Sequence, residues 1–272
     1  MTVIELDQVT LWHQGTGARA LDKVSFCIEA GETVGLLGQN GAGKSTLMNV
    51  ITGVLGANQG RCHVFGEDAL DLSDDNKARL GYMPQVLMGM DHFKVSRVIS
   101  YFKLFYPSWD DSLVQDLTRR YHLPEYSKVS QLSGGQKQVL AMILALAHRP
   151  ELLILDEPVA SLDPAARREF MADIASINDE RMPSILFSSH LTQDIERLCE
   201  RVLLLQAGRL LLDIQLDDLK TNYLWVDQSQ LSTGVNAVMQ SSQGALVHRD
   251  SGLKGVVLSL EDLFVNLHRK AA

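Results

Sequence analysis

The sequence predicts an α/β fold. A mostly parallel central sheet carries an N-terminal antiparallel β layer, a helical insertion and a small C-terminal appendage. Three observations lead there. A short apolar run at 33–37 and two fully apolar ones at 152–155 and 185–187 read as buried strands. Segments with helical spacing follow the first run at 44–52 and separate the last two near 164–178. Before them, residues alternate in polarity at 2–12 (Val3, Glu5, Val9, Leu11) and again at Val24, Phe26 and Ile28, the pattern of half-exposed antiparallel strands.

Taken in order, the two alternating segments form a hairpin layer, closed by the turn Ala30-Gly31-Glu32. The run Thr33-Val34-Gly35-Leu36-Leu37 then leads through a glycine-rich turn into a helix. Residues 86–131 change character: Met, Phe, Tyr and Lys recur at helical spacing with no clear strand, so a helical insertion is expected over about 86–148. Its last helix, 137–148, places Leu140, Ile143, Leu144 and Ala147 on one face. Val202–Leu205 and Leu210–Leu212 flank Ala207-Gly208 and read as a closing hairpin. The expected division is a main domain at 1–215 and an appendage at 216–272, where Ser259-Leu260-Glu261-Asp262 has the form of a helix-capping box.

Composition sets bounds on function. The chain has 272 residues, 46% of them hydrophobic, enough for one large domain and a small addition. Its 25 Lys and Arg against 33 Asp and Glu give a net charge of −8, which argues against nucleic acid as a partner. Cys27, Cys62 and Cys199 lie far apart and read as free thiols in a reducing compartment. Residues 1–7 lack the basic and apolar regions of a signal peptide. The longest nearly unbroken apolar run, Val139–Ala147, is half of what a membrane helix needs.

The chemistry begins at Gly38-Gln39-Asn40-Gly41-Ala42-Gly43-Lys44-Ser45-Thr46, which fits the Walker A pattern. Its glycines permit positive φ, so successive N–H groups can turn inward and nest phosphate oxygens. The following helix adds the positive end of its dipole. Lys44 is expected to reach the β- and γ-phosphates and Ser45 to ligate Mg²⁺. Placed between an apolar strand and a helix, the motif identifies the α/β fold as a P-loop NTPase.

A second acidic element is Leu152-Leu153-Ile154-Leu155-Asp156-Glu157, an apolar strand ending in two carboxylates. Ionised carboxylates at the end of a buried strand need a partner, and nucleotide-bound Mg²⁺ is one. Neighbouring side chains of an extended chain point to opposite sides, so different roles are expected. Asp156 is assigned to the Mg²⁺ shell and Glu157 to the attacking water as general base. His190 and Gln85 are weaker alone. Both gain from context, because the ends of the strands at 33–37, 152–155 and 185–188 converge on one crevice, where open α/β sheets bind ligands. The turn Leu132-Ser133-Gly134-Gly135-Gln136 offers a second phosphate grip ahead of another helix.

This ordered set resembles the ATP-binding subunits of ABC transporters, over roughly residues 3–213. The resemblance rests on Walker A at 38–45, a Q-loop at Gln85, the LSGGQ signature at 132–136, Walker B at 152–156 followed by Glu157, a D-loop at Ser161-Leu162-Asp163 and a switch histidine at His190. It implies ATP and Mg²⁺ as cofactors and head-to-tail packing with a second ATP-binding subunit, a homodimer being expected. Ser133, Gly134, Gly135 and Gln136 would then grip the γ-phosphate of the partner's ATP. Gln85 would sense Mg²⁺ and the attacking water and relay to a separate transmembrane permease, and His190 would contact the γ-phosphate. The adenine-stacking position falls on Trp12 or His13; His13 is taken as the candidate. Val139 and Val159 stand where the family often has arginine and threonine.

Aromatic and Met residues at 86–109 are expected either to fill the insertion's own core or to line a groove for a permease helix. The stretch Phe105–Asp110, the segment Phe187–His190 and the run Leu260–Val265 resemble ATPases of bacterial export systems. The expected setting is cytoplasmic, peripheral to the membrane through the permease. The competing reading is a soluble ABC-type ATPase unconnected with transport. A GTPase is disfavoured, since Asn76-Lys77-Ala78-Arg79 lacks the acid of a guanine-reading motif.

Overall fold

The computed structural model describes residues 1–13, 17–231 and 236–268, with the side chains of 177–181 and 268 excepted. An antiparallel sheet is built from β1 (Thr2–Trp12) and β2 (Arg19–Glu29), extended by β4 (Gln59–Val64) and β5 (Glu67–Asp68) in the order β2-β1-β4-β5. The expected hairpin layer is therefore wider than two strands. Its third strand, QGRCHV, is mostly polar and carries no alternation that could announce it.

The central sheet contains β3 (Thr33–Leu37), β6 (Leu80–Met83), β7 (Leu152–Leu155), β8 (Ser184–Ser189), β9 (Arg201–Gln206) and β10 (Arg209–Gln215), ordered β10-β9-β3-β8-β7-β6. All neighbours are parallel except β10, which pairs antiparallel with β9 as the closing hairpin. The two faces are read from alternation. Leu37, Leu153, Leu155, Ile185, Phe187, Val202 and Leu204 face a core shared with the helices. Val34, Leu36, Leu152, Ile154, Leu186, Leu203 and Leu205 face a second core under the antiparallel layer. A sheet covered on both faces has no polar stripe, which is why the middles of β3, β7, β8 and β9 are apolar on both faces.

Nine α-helices are described: α1 (Lys44–Ile51), α2 (Asp74–Ala78), α3 (Val95–Lys103), α4 (Asp111–Arg120), α5 (Gly134–Leu146), α6 (Pro164–Arg181), α7 (Thr192–Leu198), α8 (Leu216–Asn222) and α9 (Leu260–His268). The insertion consists of α3 and α4 packed on α5. Helix α5 starts three residues earlier than its apolar stripe suggests, because Ser133 caps it.

Helix α4 is held by Asp110. Its carboxylate accepts the Leu113 N–H at 2.9 Å, the Ser112 hydroxyl at 2.5 Å and the Arg149 guanidinium Nε–H at 2.8 Å. The Ser112 hydroxyl, the Leu113 amide and Arg149 together hold this carboxyl far below the usual carboxylate range. A depressed carboxylate stabilises fully above its unfolded pKa of about 4 and loses that contribution as pH falls further. Asp110→Ala is expected to cost about 1–2 kcal/mol at pH 7, the scale of a lost N-cap and a half-buried ion pair. Thermal unfolding of both proteins checks this: the gap should narrow steadily below pH 4.

The appendage is an antiparallel sheet of β11 (Tyr223–Asp227), β12 (Ala237–Gln240) and β13 (Gly244–His248), ordered β11-β13-β12. Ser259 caps α9, accepting the Asp262 N–H at 3.0 Å and donating to the Asp262 carboxylate at 2.7 Å. Helix α9 packs on α7, and Trp225, Met239, Leu246, Leu260 and Leu263 join the main helical core.

Candidate functional site

The loop between β3 and α1 carries the Walker A residues. Gly43 has φ +106°, and a Cβ there would lie 2.8 Å from the Ala20 carbonyl oxygen, so only glycine fits this bend. Lys44 opens α1 with its side chain only 5% exposed. Its ammonium donates to the carbonyls of Gly38 at 2.7 Å and Gln39 at 3.2 Å, and lies 2.9 Å from Glu157 Oε1. Gly38 and Gln39 thus serve through their backbone oxygens, with Ala42 N–H closing the turn onto Gln39 O at 3.1 Å.

Strand register brings the acids to the same level. Leu37 pairs with Ser189 and Leu155 with Phe187, so Asp156 and Glu157 stand beside Ser188 and Ser189. Ser188 Oγ–H donates to Asp156 Oδ1 at 2.8 Å and accepts the Glu157 N–H at 2.8 Å. The two acids do diverge, but strand alternation is not the cause. Strand β7 ends at Leu155, and Glu157 has φ +46°. That left-handed turn sends its carboxylate to Lys44 on one oxygen and to His190 Nδ1, 2.9 Å away, on the other. Burial raises the Glu157 pKa, but Lys44 and then His190 outweigh it and hold the carboxyl below its ordinary value. Buried Gln138 ties the loop down, donating to the Glu157 carbonyl at 3.4 Å and accepting the Ser161 N–H at 3.2 Å.

Beside Lys44 opens a cavity of about 670 Å³. It is lined by Asn40, Gly41, Gly43, Lys44, Ser45 and Thr46 of the phosphate loop and α1, by Gln85 and Glu157, and by His13, Ala18, Arg19 and Ala20. His13, not Trp12, lines it. Ala207 and Gly208, from the β9–β10 turn, also line it; as the turn of an ordinary hairpin they carried no signal of a site. Asp156 lines neither this cavity nor the smaller one of about 80 Å³ onto which His190 opens and which Glu157 also lines. Among the described residues, no group of three or more His, Cys, Asp or Glu gathers as a metal cage. The hydroxyl of Ser45, the carboxylate of Asp156 and the amide of Gln85 are hard oxygen donors, which suits Mg²⁺ held partly by phosphate oxygens.

The signature segment lies elsewhere. Ser133 Oγ accepts the Gln136 N–H at 3.2 Å, while the Ser133 N–H donates to Gln136 Oε1 at 3.0 Å. This box uses the Ser133 hydroxyl as acceptor and leaves its O–H free to donate outward. Gly134 and Gly135 occupy the first turn, where helix geometry leaves N–H groups without intrahelical partners. They pack on Ser161 and Leu162, and none of 133–136 lines the cavity beside Lys44.

A family model described as ABC transporter matches residues 21–160. The ABC transporter ATP-binding protein YtrB of Bacillus subtilis is 33% identical over 238 residues, spanning 88% of this chain and 80% of that protein. The chain belongs to the ABC transporter ATP-binding family. The bacitracin transport ATP-binding protein BcrA of Bacillus licheniformis is 30% identical to this cassette over 256 residues, covering 91% of this chain and 81% of the relative. Among solved structures, an ATP-binding subunit of an ABC transporter superposes with a TM-score of 0.75 at 24% identity, covering 98% of this chain and all of that one. The cassette MJ0796, in a dimeric post-hydrolysis state bound to ADP and Pi, superposes at 0.70 with 23% identity over 78% of this chain and 98% of its own. No helix among the described residues of the cassette is long and apolar enough to cross a membrane.

The aromatic-rich insertion divides between core and surface. Met90, Phe102 and Trp109 pack against the core, and Tyr106 stacks on His148 with ring centroids 3.9 Å apart. Val86, Met88, Phe93, Tyr101, Leu104 and Phe105 are exposed, Met88 at 77%.

Proposed function

We propose that this cassette hydrolyses Mg-ATP at a site completed by a second copy of itself, and that the cycle drives a separate membrane permease, in the export direction. One observation carries the reading. The capped N-terminus of α5 presents a donor hydroxyl and open glycine N–H groups away from its own chain's cavity, so its natural ligand is a phosphate held by a partner. The dimeric MJ0796 cassette with ADP and Pi supports this arrangement, and the relative named for bacitracin transport supports a transport setting.

The residues divide the work. The Walker A loop and Lys44 hold the phosphates. Ser45, Asp156 and Gln85 would hold Mg²⁺, which on binding neutralises charge on the phosphate oxygens. A γ-phosphate entering the cavity competes with Glu157 for the Lys44 ammonium. Once Lys44 turns to phosphate, Glu157 loses the partner that lowers its basicity and becomes a better acceptor for a proton from the attacking water. His190, already bonded to the other oxygen, orients it. Ser133 and its glycines complete the partner's site.

The exposed apolar strip on the insertion is the proposed permease contact, which would place the cassette on the cytoplasmic face of the membrane. Tyr101→Glu and Phe105→Glu should leave basal hydrolysis within about twofold and lower permease-stimulated hydrolysis at least tenfold, since a buried unpaired charge breaks an interface. The deciding experiment is purification of the tagged cassette from detergent extracts. A membrane protein with permease topology should co-purify, and transport in vesicles should run outward. Recovery without any membrane partner would overturn the transporter reading.

A further inference from the structure

Helix α7 opens just after His190, so whatever anchors its first turn also places the imidazole. Asp194, in that turn, is buried. Both of its carboxylate oxygens are occupied. Arg167 donates from Nε to Oδ1 at 2.9 Å and from Nη2 to Oδ2, and Ser189 Oγ–H donates to Oδ2 at 2.9 Å. Ser189 Oγ in turn accepts the Leu191 N–H at 3.0 Å. His190 is therefore stapled on both sides, through Ser189 before it and Leu191 after it.

The other end of the pair is equally fixed. Arg167 donates its backbone N–H to the Asp163 carbonyl at 2.9 Å. The Asp163 side chain accepts the N–H groups of Ala165 and Ala166 at 2.9 and 3.0 Å. Arg167 thus rides on the helix that leaves Ser161-Leu162-Asp163, the same segment that touches Gly134 and Gly135. Both members of the pair line the cavity of about 80 Å³ onto which Glu157 and His190 open. Asp194 is buried while Arg167 is partly exposed, and such a pair is a poor source of net stability, because desolvation offsets attraction, but it holds geometry closely. A planar guanidinium bonded to both carboxylate oxygens is the strictest form of that constraint.

We infer that Asp194 and Arg167 are positioning residues for His190: they set the imidazole against Glu157 and pass displacement of the 161–163 segment to it. The inference rests on the proposal that Glu157 and His190 carry out ATP hydrolysis in this chain. Neither residue lines the large cavity beside Lys44, so neither should alter nucleotide binding.

The test uses the full chain with Mg-ATP. Asp194→Asn and Arg167→Gln should each lower kcat about tenfold with KM within twofold, and Asp194→Glu should recover most of the loss. On a His190→Ala background the same substitutions should change kcat by less than twofold. Imidazole resonances of the ¹⁵N-histidine-labelled protein supply a readout independent of activity: Asp194→Asn and Arg167→Gln should move the His190 signals and leave the remaining histidines in place. Equal losses on both backgrounds, or His190 signals that do not move in either variant, would overturn the positioning role. Because wild-type hydrolysis is measured alongside, such a result would leave the ATPase proposal standing.

Discussion

Glu157→Gln is expected to bind Mg-ATP within about threefold of the wild type and to hydrolyse it roughly 10²–10⁴-fold more slowly, the scale of a lost general base. Glutamine keeps the shape of the side chain, but its single carbonyl oxygen can accept from Lys44 only, which leaves its NH2 to donate toward His190 Nδ1. What it lacks is a charge that can take a proton. Since Lys44 and His190 hold the Glu157 carboxyl below its usual range, the wild-type base is ionised across the neutral region. The defect in the variant should accordingly be flat from pH 6 to 8, with no recovery at the alkaline end. Stalled before hydrolysis, the variant should accumulate as a dimer with saturating Mg-ATP. Light scattering measures this directly: a monomer under those conditions would sink the shared-site proposal, whereas turnover near wild type would remove Glu157 from the base role.

Lys44→Ala is expected to abolish ATP binding, and the structure adds a second effect. Removing the ammonium leaves Glu157, whose side chain is only 7% exposed, with His190 as its remaining partner. Breaking a buried pair from one side costs about 3 kcal/mol. In a protein of this size that lowers Tm by roughly 5–10 °C. With its main compensating charge gone, burial should raise the Glu157 pKa. A raised carboxyl destabilises increasingly as pH climbs above its unfolded value, so the Tm deficit should shrink as pH is lowered from 7 to 5. The double variant Lys44→Ala, Glu157→Gln should recover at least half of the lost Tm and still bind no ATP. Near-normal ATP affinity in Lys44→Ala would refute the phosphate assignment. A double variant no more stable than the single one would show that the ion pair is not what Lys44 contributes to the fold.

These two residues also mark how far the linear pattern reached. Lys44 was recognisable because a phosphate loop must be built within one short segment, strand to glycine turn to helix, and every part of that device is local. The same holds for Ser133, whose cap uses only Gln136 three residues on. The two-faced apolar runs of β3, β7 and β8 announced a covered parallel sheet for an equally local reason: strands buried on both sides have no polar stripe. Strand β6, four residues with a glycine, and polar β4 had no such mark and entered their sheets through pairing alone. The pattern of the appendage weakened because its three short strands order themselves β11-β13-β12 around a common partner.

The chain by itself determined the phosphate loop, the acids at the end of an apolar strand, the capped signature turn and the sheet that gathers them. Only the tertiary structure decided what those groups touch. Glu157 reaches Lys44 because a left-handed residue follows a strand that ends at Leu155, and it meets His190 because β7 and β8 are in register. Gln138 closes on Glu157 and Ser161, and Arg167 on Asp194, across helix packings with no local trace. Periodicity reports which side of an element is buried; the partner of a buried polar group is set by register and crossing between segments that are distant in the chain, and those exist only once the core has closed.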